Sequence, residues 1–506
     1  MTSRSLAVLG LGLSVALAVV GQSSSAMADG LTLPPIPALR GVPIPSLPTD
    51  LLVPSYVGSP ATPQPIAHPP IPQNPHLADN GRSSMHNDSY SSDAYSGSGP
   101  LGKSPRVTSA MYGVRECATV TFDSRGRIEA LCGGLDGFTM MLIDPTTLTP
   151  MAELPMPGRN LLSASNPLTD LCGGSYFVLT ADDRALALTT SGEIWEVVQT
   201  GESGLAKERS WPLATHLADP DDCLVALTLD WAGRAWFFTQ SGVVGTLDLA
   251  TGAVHTLSTT EDIFNSVSAD ETGGVYAVTT HATYRFDAAV DGTPTVTWRE
   301  TYDRGNRTKP GQLSQGSGTS PTLIGDRWIA VTDNAEPRMN VLVYDRRTGV
   351  TNRLHCTTPV FGDGASATEN SLVAAGNSVM VENNYGYTSP LSTLLGRSTT
   401  AGISRVMIED GGCPVAWTNN SVAPTSVAKA SLGNGLLYAY TKPPRRDTLD
   451  AWYLTAIDIR TGKTAWSKLT GTGIQWNNHY AAIYLGPDGA AYIATLTGMV
   501  RLKDRP

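Results

Sequence analysis

An all-β fold is what this sequence predicts, on three observations. The 506 residues include 50 Gly and 35 Pro against 8 Phe, and only 16% are charged; abundant Gly, Pro, Thr and Ser favours short strands and turns over long helices. From about residue 105 one unit recurs: an alternating strand, a Gly-containing turn, a second strand, and a third closing near Asp. The inner turns fall near Asp123, Asp182, Asp230, Asp270, Asp326, Asn377, Asn434 and Asp488, 40 to 59 residues apart. A repeat of roughly 40–50 residues built from short strands is the mark of a β-propeller blade. Eight turns predict eight blades, with seven as the alternative. Long βαβ helices are missing, which disfavours a doubly wound sheet.

The chain changes character twice before the repeats begin. Residues 1–28 read as a signal peptide: Arg4, an apolar run over 6–20, and the small-residue cleavage site Ala26-Met27-Ala28. That run is shorter than the roughly 20 residues needed to span a bilayer, so no membrane span is expected. Residues 29–75 are dense in proline and predict an extended, disordered arm. Residues 76–104 are polar and without periodicity, as in a linker. Met85, Tyr90 and Tyr95 among His86, Asp88 and Asp93 are unusual for a spacer and raise the alternative that this stretch docks on the following domain.

Residues 105–506 are the expected propeller. The last unit ends at Leu502 with room for only three strands. An open edge is a liability, and the strand near Val107 to Tyr112 is positioned to supply the fourth, tying the two ends together. Export also decides how the six cysteines are read, because an oxidising compartment favours disulfides. Cys117 and Cys132 flank the turn Asp123-Ser124-Arg125-Gly126. A hairpin closed there, with paired positions summing to 249, sets the two directly opposite each other. Cys172–Cys223 and Cys356–Cys413 are the simplest remaining pairs by order, among three possible pairings. No Cys-x-x-Cys appears, which speaks against a zinc or redox motif.

The formal charge of −10, from 35 basic and 45 acidic residues, argues against nucleic acid and anionic membranes as partners. No Gly-x-Ser-x-Gly elbow or phosphate-cradling loop is present, and Gly316-Ser317-Gly318 reads as a flexible loop.

Two resemblances follow from the repeats. TAIDIRTGKTAW at 455–466 resembles the repeat of pyrroloquinoline-quinone propellers, with DLATGAV at 248 and DRRTGV at 345 as weaker copies. In that family the Asp, Thr-Gly and Trp lock neighbouring blades. Its dehydrogenases carry adjacent cysteines and this chain has none, so the quinone is not expected. Units such as FNSVSADETGGVYAVT resemble the secreted gluconolactonase and senescence-marker propellers. That resemblance implies a divalent ion held by a few Glu, Asn and Asp at the channel mouth.

Blade geometry says where to look for chemistry. The start of each innermost strand and the end of the second strand meet at one face, around the channel. First-strand starts offer Asp170, Asp221, Asp222, Asn265, Glu369, Asn370, Asn477, Asn478, His479 and Tyr480. Second-strand ends offer His281, Asp333, Asn334, Glu382, Asn383, Asn384 and Tyr385. The opposite face carries turn residues alone. Asn265, Asp333, Asn334 and Glu369 are the candidate metal ligands, and their oxygens suit calcium. His479 and His281 are candidate proton carriers, and Asn370, Asn383, Asn384, Asn477, Asn478 and Tyr480 candidate ligand contacts. Two functions meet this pattern. One is an exported or envelope-associated monomer binding a small molecule or glycan without catalysis; the other is a metal-dependent lactonase- or esterase-like hydrolase.

Overall fold

The computed structural model describes residues 40–134, 137–158, 172 and 176–505. The expected signal peptide, residues 29–39 of the arm and Asp170 lie outside the described residues. Residues from Arg40 onward form one compact unit.

Eight antiparallel meanders of four strands make the propeller. The innermost strands of blades 1 to 8 are Arg115–Phe122, Phe177–Leu179, Leu224–Leu229, Ser268–Ala269, Thr322–Ile324, Val373–Ala374, Lys429–Ser431 and Ile483–Leu485. The turn joining first and second strands repeats one device. An Asp carboxylate accepts backbone N–H groups two and four residues on, as Asp230 does from Ala232 and Arg234, and Asp270 from Thr272 and Gly274. A glycine with φ of 82° at Gly233 or 90° at Gly273 then takes the left-handed step a side chain would resist.

Closure is circular. Blade 8 takes its outer strand from Arg106–Met111, which pairs antiparallel with Gly498–Lys503, Arg106 opposite Lys503 and Met111 opposite Gly498. No edge is left where the ring meets itself.

All three disulfides pair in sequence order. Cys117 lies opposite Cys132, but by a different route from the simple hairpin. Near the turn, Thr119 pairs with Leu131 and Phe122 with Ile128, a register summing to 250. A bulge between Cys117 and Thr119 shifts the pairing by one residue and restores the cysteine pair.

Packing between blades uses large side chains. Trp466, fully buried, joins Leu454 of its own blade to Ile483, Leu485 and Val500 of blade 8. Trp417 of blade 6 covers Gly462 and donates its ring N–H to the Ile459 carbonyl of blade 7.

Blade 7 belongs to a six-stranded sheet. Tyr56–Gly58 pairs antiparallel with its outermost strand, Thr464–Thr472, and Ala94–Tyr95 lies parallel to its innermost. The arm from residue 40 onward is therefore extended but not free. Ile44 is buried among blade 7 and 8 side chains, and Val53 among those of blade 7.

Candidate functional site

The two faces of the ring differ. On the face carrying the inner turns, the arm crosses one blade after another. Gln64 and Ile66 donate backbone N–H to Asn434 and Leu432 of blade 7, and Gly376 of blade 6 donates to His68 Nδ1. Pro69 lies on Gly325 of blade 5. Asn74 donates its amide to the Leu229 carbonyl of blade 3, and Ala181 of blade 2 donates to His76.

The chain then turns into the central channel and follows the ring back. Innermost strands donate in sequence to its carbonyls: Leu179 to Ser83, Ala269 to Ser89, Leu323 to Tyr90, Ala374 to Ser92 and Ala430 to Asp93. Residues 83–95 are a plug made from the chain itself. The stretch read as a polar linker is thus docked at 83–95, with Asn87, Ser92 and Asp93 fully buried. Short polar side chains permit the path. Asn87, Ser91 and Asp93 have φ of 60°, 51° and 55°, a region that Asn and Asp enter more cheaply than bulky residues. Asp88 Oδ1 accepts from the N–H groups of both Tyr90 and Ser92, which tightens the turn between them.

The acid Asp93 of the plug is paired with a cation. Lys429 of blade 7, with no exposed surface, donates Nζ to Asp93 and, at 2.6 Å, to the Met85 carbonyl. His86 Nδ1 is 3.1 Å from both Asp93 oxygens, and its Nε2 is 3.3 and 3.4 Å from the Ser320 and Ser371 hydroxyls. Burial pushes the Asp93 carboxyl up, but Lys429 and His86 outweigh it and hold it below its usual range. Asp88 lacks such a cation. Burial, opposed chiefly by hydrogen bonds from Ser92, raises it to about 7.

On the opposite face the expected amides meet the protein's own loops. Asn383 accepts from Ala367 and Tyr385 N–H and donates to the Ala365 carbonyl. Asn384 accepts from the Glu369 N–H at 2.8 Å and donates to the Pro424 carbonyl. Asn477 accepts from His479 N–H and the Tyr387 hydroxyl, while Asn478 accepts from Thr425 and donates to Ala481. Asn370 donates to Glu382 and to the Ser426 carbonyl. These five amides frame the mouth by stitching blades 6, 7 and 8 together.

The proposed ion ligands are likewise engaged. Asn265 donates its amide to the Ser317 carbonyl, and Ser317 is buried rather than in a loose loop. Asp333 accepts from Asn340 N–H at 2.6 Å, from the Asn340 amide at 2.7 Å and from Ala335 N–H, all within its own blade; burial raises it to about 6. Asn334 donates to the Arg304 and Arg307 carbonyls. Of the two carboxylates in this set, Glu369 alone keeps an oxygen without a partner. Among the described residues, one group of three His, Cys, Asp or Glu brings its ligand atoms within metal-binding distance. It is His355, Cys356 and Cys413, whose sulfurs are bonded to each other.

His281 and His479 belong to blades 4 and 8, across the ring from each other. His281 Nδ1 lies 3.0 Å from the Thr280 hydroxyl, and His479 Nδ1 lies 2.9 Å from the Tyr387 hydroxyl.

Two further acids stand at the starts of first strands, and Tyr387 and Tyr480 lie on the same face. Glu116 opens the first strand of blade 1, and Glu369 precedes that of blade 6. Burial holds both carboxyls well above the usual carboxylate range, against single backbone N–H groups from Ala481 and Leu313. Both residues nevertheless keep part of their surface open. Glu369 Oε2 is buried without a partner, and among the described residues no basic group acts on either acid. The Glu369 charge reaches Tyr176 and Tyr480, and that of Glu116 reaches Tyr387. Tyr387 meets Tyr480 edge-on at 5.3 Å. His479 and Tyr480 both hold left-handed backbone, φ 34° and 68°, at a conformational cost.

Sequence reasoning reached Glu369, His479 and Tyr480 and missed Glu116, Tyr176 and Tyr387. Glu116 obeys the rule that found the others, as it sits at a first-strand start; its neighbour Cys117 claimed the position for the disulfide argument.

No protein-family model matches the chain. An uncharacterized protein of Archaeoglobus fulgidus is 28% identical over 317 residues, 55% of this chain and 60% of that protein. The chain therefore matches less than two thirds of that relative's length. Similar solved structures include virginiamycin B lyase from Staphylococcus aureus, with 10% identity over 79% of this chain and 99% of that one, TM-score 0.40. BamB from Moraxella catarrhalis has 12% identity over 63% and 93%, TM-score 0.39. The computationally designed Ika8 protein has 13% over 78% and 98%, TM-score 0.43. These neighbours are propeller proteins. At such identities and scores they say nothing of activity, and the fold rests on the eight sheets themselves.

Proposed function

We propose that the protein is an exported binding propeller that takes a small polar molecule or glycan at its one open mouth. The observation that carries this reading is Glu369, whose Oε2 is buried without a partner beside Asn370, whose Oδ1 is also bare. A buried oxygen left bare costs about 1–3 kcal/mol, and a ligand donor removes that cost. Residues 83–93 bond to the innermost strands of blades 2, 4, 5, 6 and 7 and so occupy part of the channel. Tyrosine rings beside carboxyl groups supply the flat apolar faces and polar edges that sugars and small polar molecules need. Export agrees with the three disulfides. No described helix is long and apolar enough to cross a membrane.

The test is a calorimetric and thermal-shift screen of neutral and charged saccharides and small metabolites, repeated on Tyr480→Ala. A hit that weakens at least tenfold in that variant supports the mouth as the site. Binding that is indifferent to Tyr480→Ala places the ligand elsewhere and sinks the reading.

A further inference from the structure

We propose that Lys429 and Asp93 join covalently: Lys429 Nζ and the Asp93 carboxyl carbon form an amide with loss of one water, and the plug is then held to the propeller by a bond. The proposal is independent of what the mouth binds. Its ground is the contact between Lys429 Nζ and Asp93 Oδ1, in which neither side chain has any exposed surface. Other lysine pairs on the ring are built differently. Lys442–Asp450 keeps its carboxylate 11% exposed, and Lys503–Asp488 stands at the surface.

A site sealed from solvent favours this chemistry. Two buried opposite charges have lost the water that stabilised them, and their attraction need not make up the difference. Burial lowers Lys429, against the opposing pull of Asp93. One proton passed from Nζ to Oδ1 across their contact leaves a free amine beside a carboxylic acid. The amine of a buried lysine is a nucleophile, and holding it against the acid removes the encounter step that amide formation needs in solution. Nζ also donates to the Met85 carbonyl at 2.6 Å, a second anchor that fixes its place.

His86 is placed to relay the remaining proton, with Nδ1 3.1 Å from both Asp93 oxygens. Nζ attacks Asp93 Cγ and the C–N bond forms. His86 gives its Nδ1 proton to the departing hydroxyl and takes the surplus proton from nitrogen, and the C–O bond breaks. Counted from the ion pair, the ammonium gives up two protons and the carboxylate one oxygen, which leave together as water. No oxidant or reductant enters. A cavity of about 10 Å³ lined by Met85, Asp88 and Ser89 has room for that one water.

The position of the pair gives the bond a purpose. The three disulfides link residues 15, 51 and 57 apart, and none reaches the plug. Asp93 and Lys429 are 336 residues apart. A cross-link over so long a span restricts the unfolded chain more than a short one does, and it ties residues 83–95 to blade 7.

Mass spectrometry of the full chain is the test. After reduction, denaturation and trypsin, peptide 83–103 should be found joined to peptide 406–445. The pair should be lighter than the sum of its parts by one water, with Lys429 uncleaved and fragment ions placing the link at Asp93. Lys429→Arg, which keeps the cation but has no amine to acylate, and Asp93→Ala should each give the two peptides apart. His86→Gln should link more slowly by roughly a hundredfold; linkage at the wild-type rate would overturn its part in the step. If the Lys429 and Asp93 variants do not fold, the wild type decides alone. Cut within residues 96–98, its fragment ending near residue 95 should stay on the propeller in reducing SDS. Release of that fragment in SDS, or a wild-type digest with Lys429 cleaved and Asp93 in an unmodified peptide, overturns the proposal and leaves an ion pair. A link from Lys429 to Asp88 in place of Asp93 overturns it too.

Discussion

The plug and the opposite mouth are built from the same residue types, yet Asp93 and Glu369 have different surroundings. In the plug, Asp93, His86, Lys429, Ser320 and Ser371 form a closed network in which each group answers another. At the mouth, Glu369 keeps a bare oxygen. Composition does not distinguish the two. Partnership does: a satisfied buried acid is part of the architecture, and an unsatisfied one at an open mouth marks where something else binds.

The sharpest way to break this comparison is to remove a partner from the satisfied side. Lys429→Met should cost about 3–5 kcal/mol of stability, because it strands a buried carboxylate. Adding Asp93→Asn to the same chain should recover part of the loss, which equilibrium denaturation of the three variants will show. A Lys429→Met protein as stable as wild type would mean the plug is not held by this pair.

A second test is pH. Burial raises Asp88 to about 7, and Glu129 and Glu382 to about 8. Each folded value lies above the ordinary one, so the folded state binds these protons more tightly than the unfolded chain does. The stability they confer is complete below about pH 4, and it drains away as pH rises through 7 and 8. Stability should therefore fall by a few kcal/mol between pH 5 and pH 9. Melting curves in matched ionic strength will read it, and a maximum above pH 8 would contradict the assignment.

A third test separates the arm from a free tether. Ser96, Gly97 and Ser98 are exposed and offer a protease its opening. After a single cut there, the fragment from residue 40 to about 95 should stay with the propeller through size exclusion, and melting should drop by a few degrees. Quantitative release of that fragment would show that the arm only rests on the ring. The smallest expected effect is on the unsatisfied side: Glu369→Gln, without ligand, should change stability by less than about 1 kcal/mol.

Much of the fold was legible because its signals are local. An Asp or Asn turn with a following glycine repeats in each blade whatever surrounds it, and the missing fourth strand after Leu502 pointed straight to Val107. The plug was not legible for the converse reason. Residues 83–95 have no period of their own, since their carbonyls meet blades 2, 4, 5, 6 and 7 at irregular intervals, and Ser, Asp and Asn in such a stretch look like any linker. Asn383, Asn384, Asn477 and Asn478 were placed on the right face, but sequence does not say whether an amide at a strand end serves a loop or a ligand. Three-dimensional neighbours decide that, and here the loops claimed them.

The central claim is that residues 83–95 fill the channel as an integral part of the fold. Hydrogen exchange followed by mass spectrometry tests it most directly. The N–H groups of Asn87, Tyr90, Ser91 and Ser92 are all bonded within the plug. Their peptide should exchange as slowly as the buried blade 7 strand Leu436–Thr441, and far more slowly than residues 96–98. Exchange of residues 83–95 within seconds, at the rate of the exposed 96–98 loop, would contradict the account.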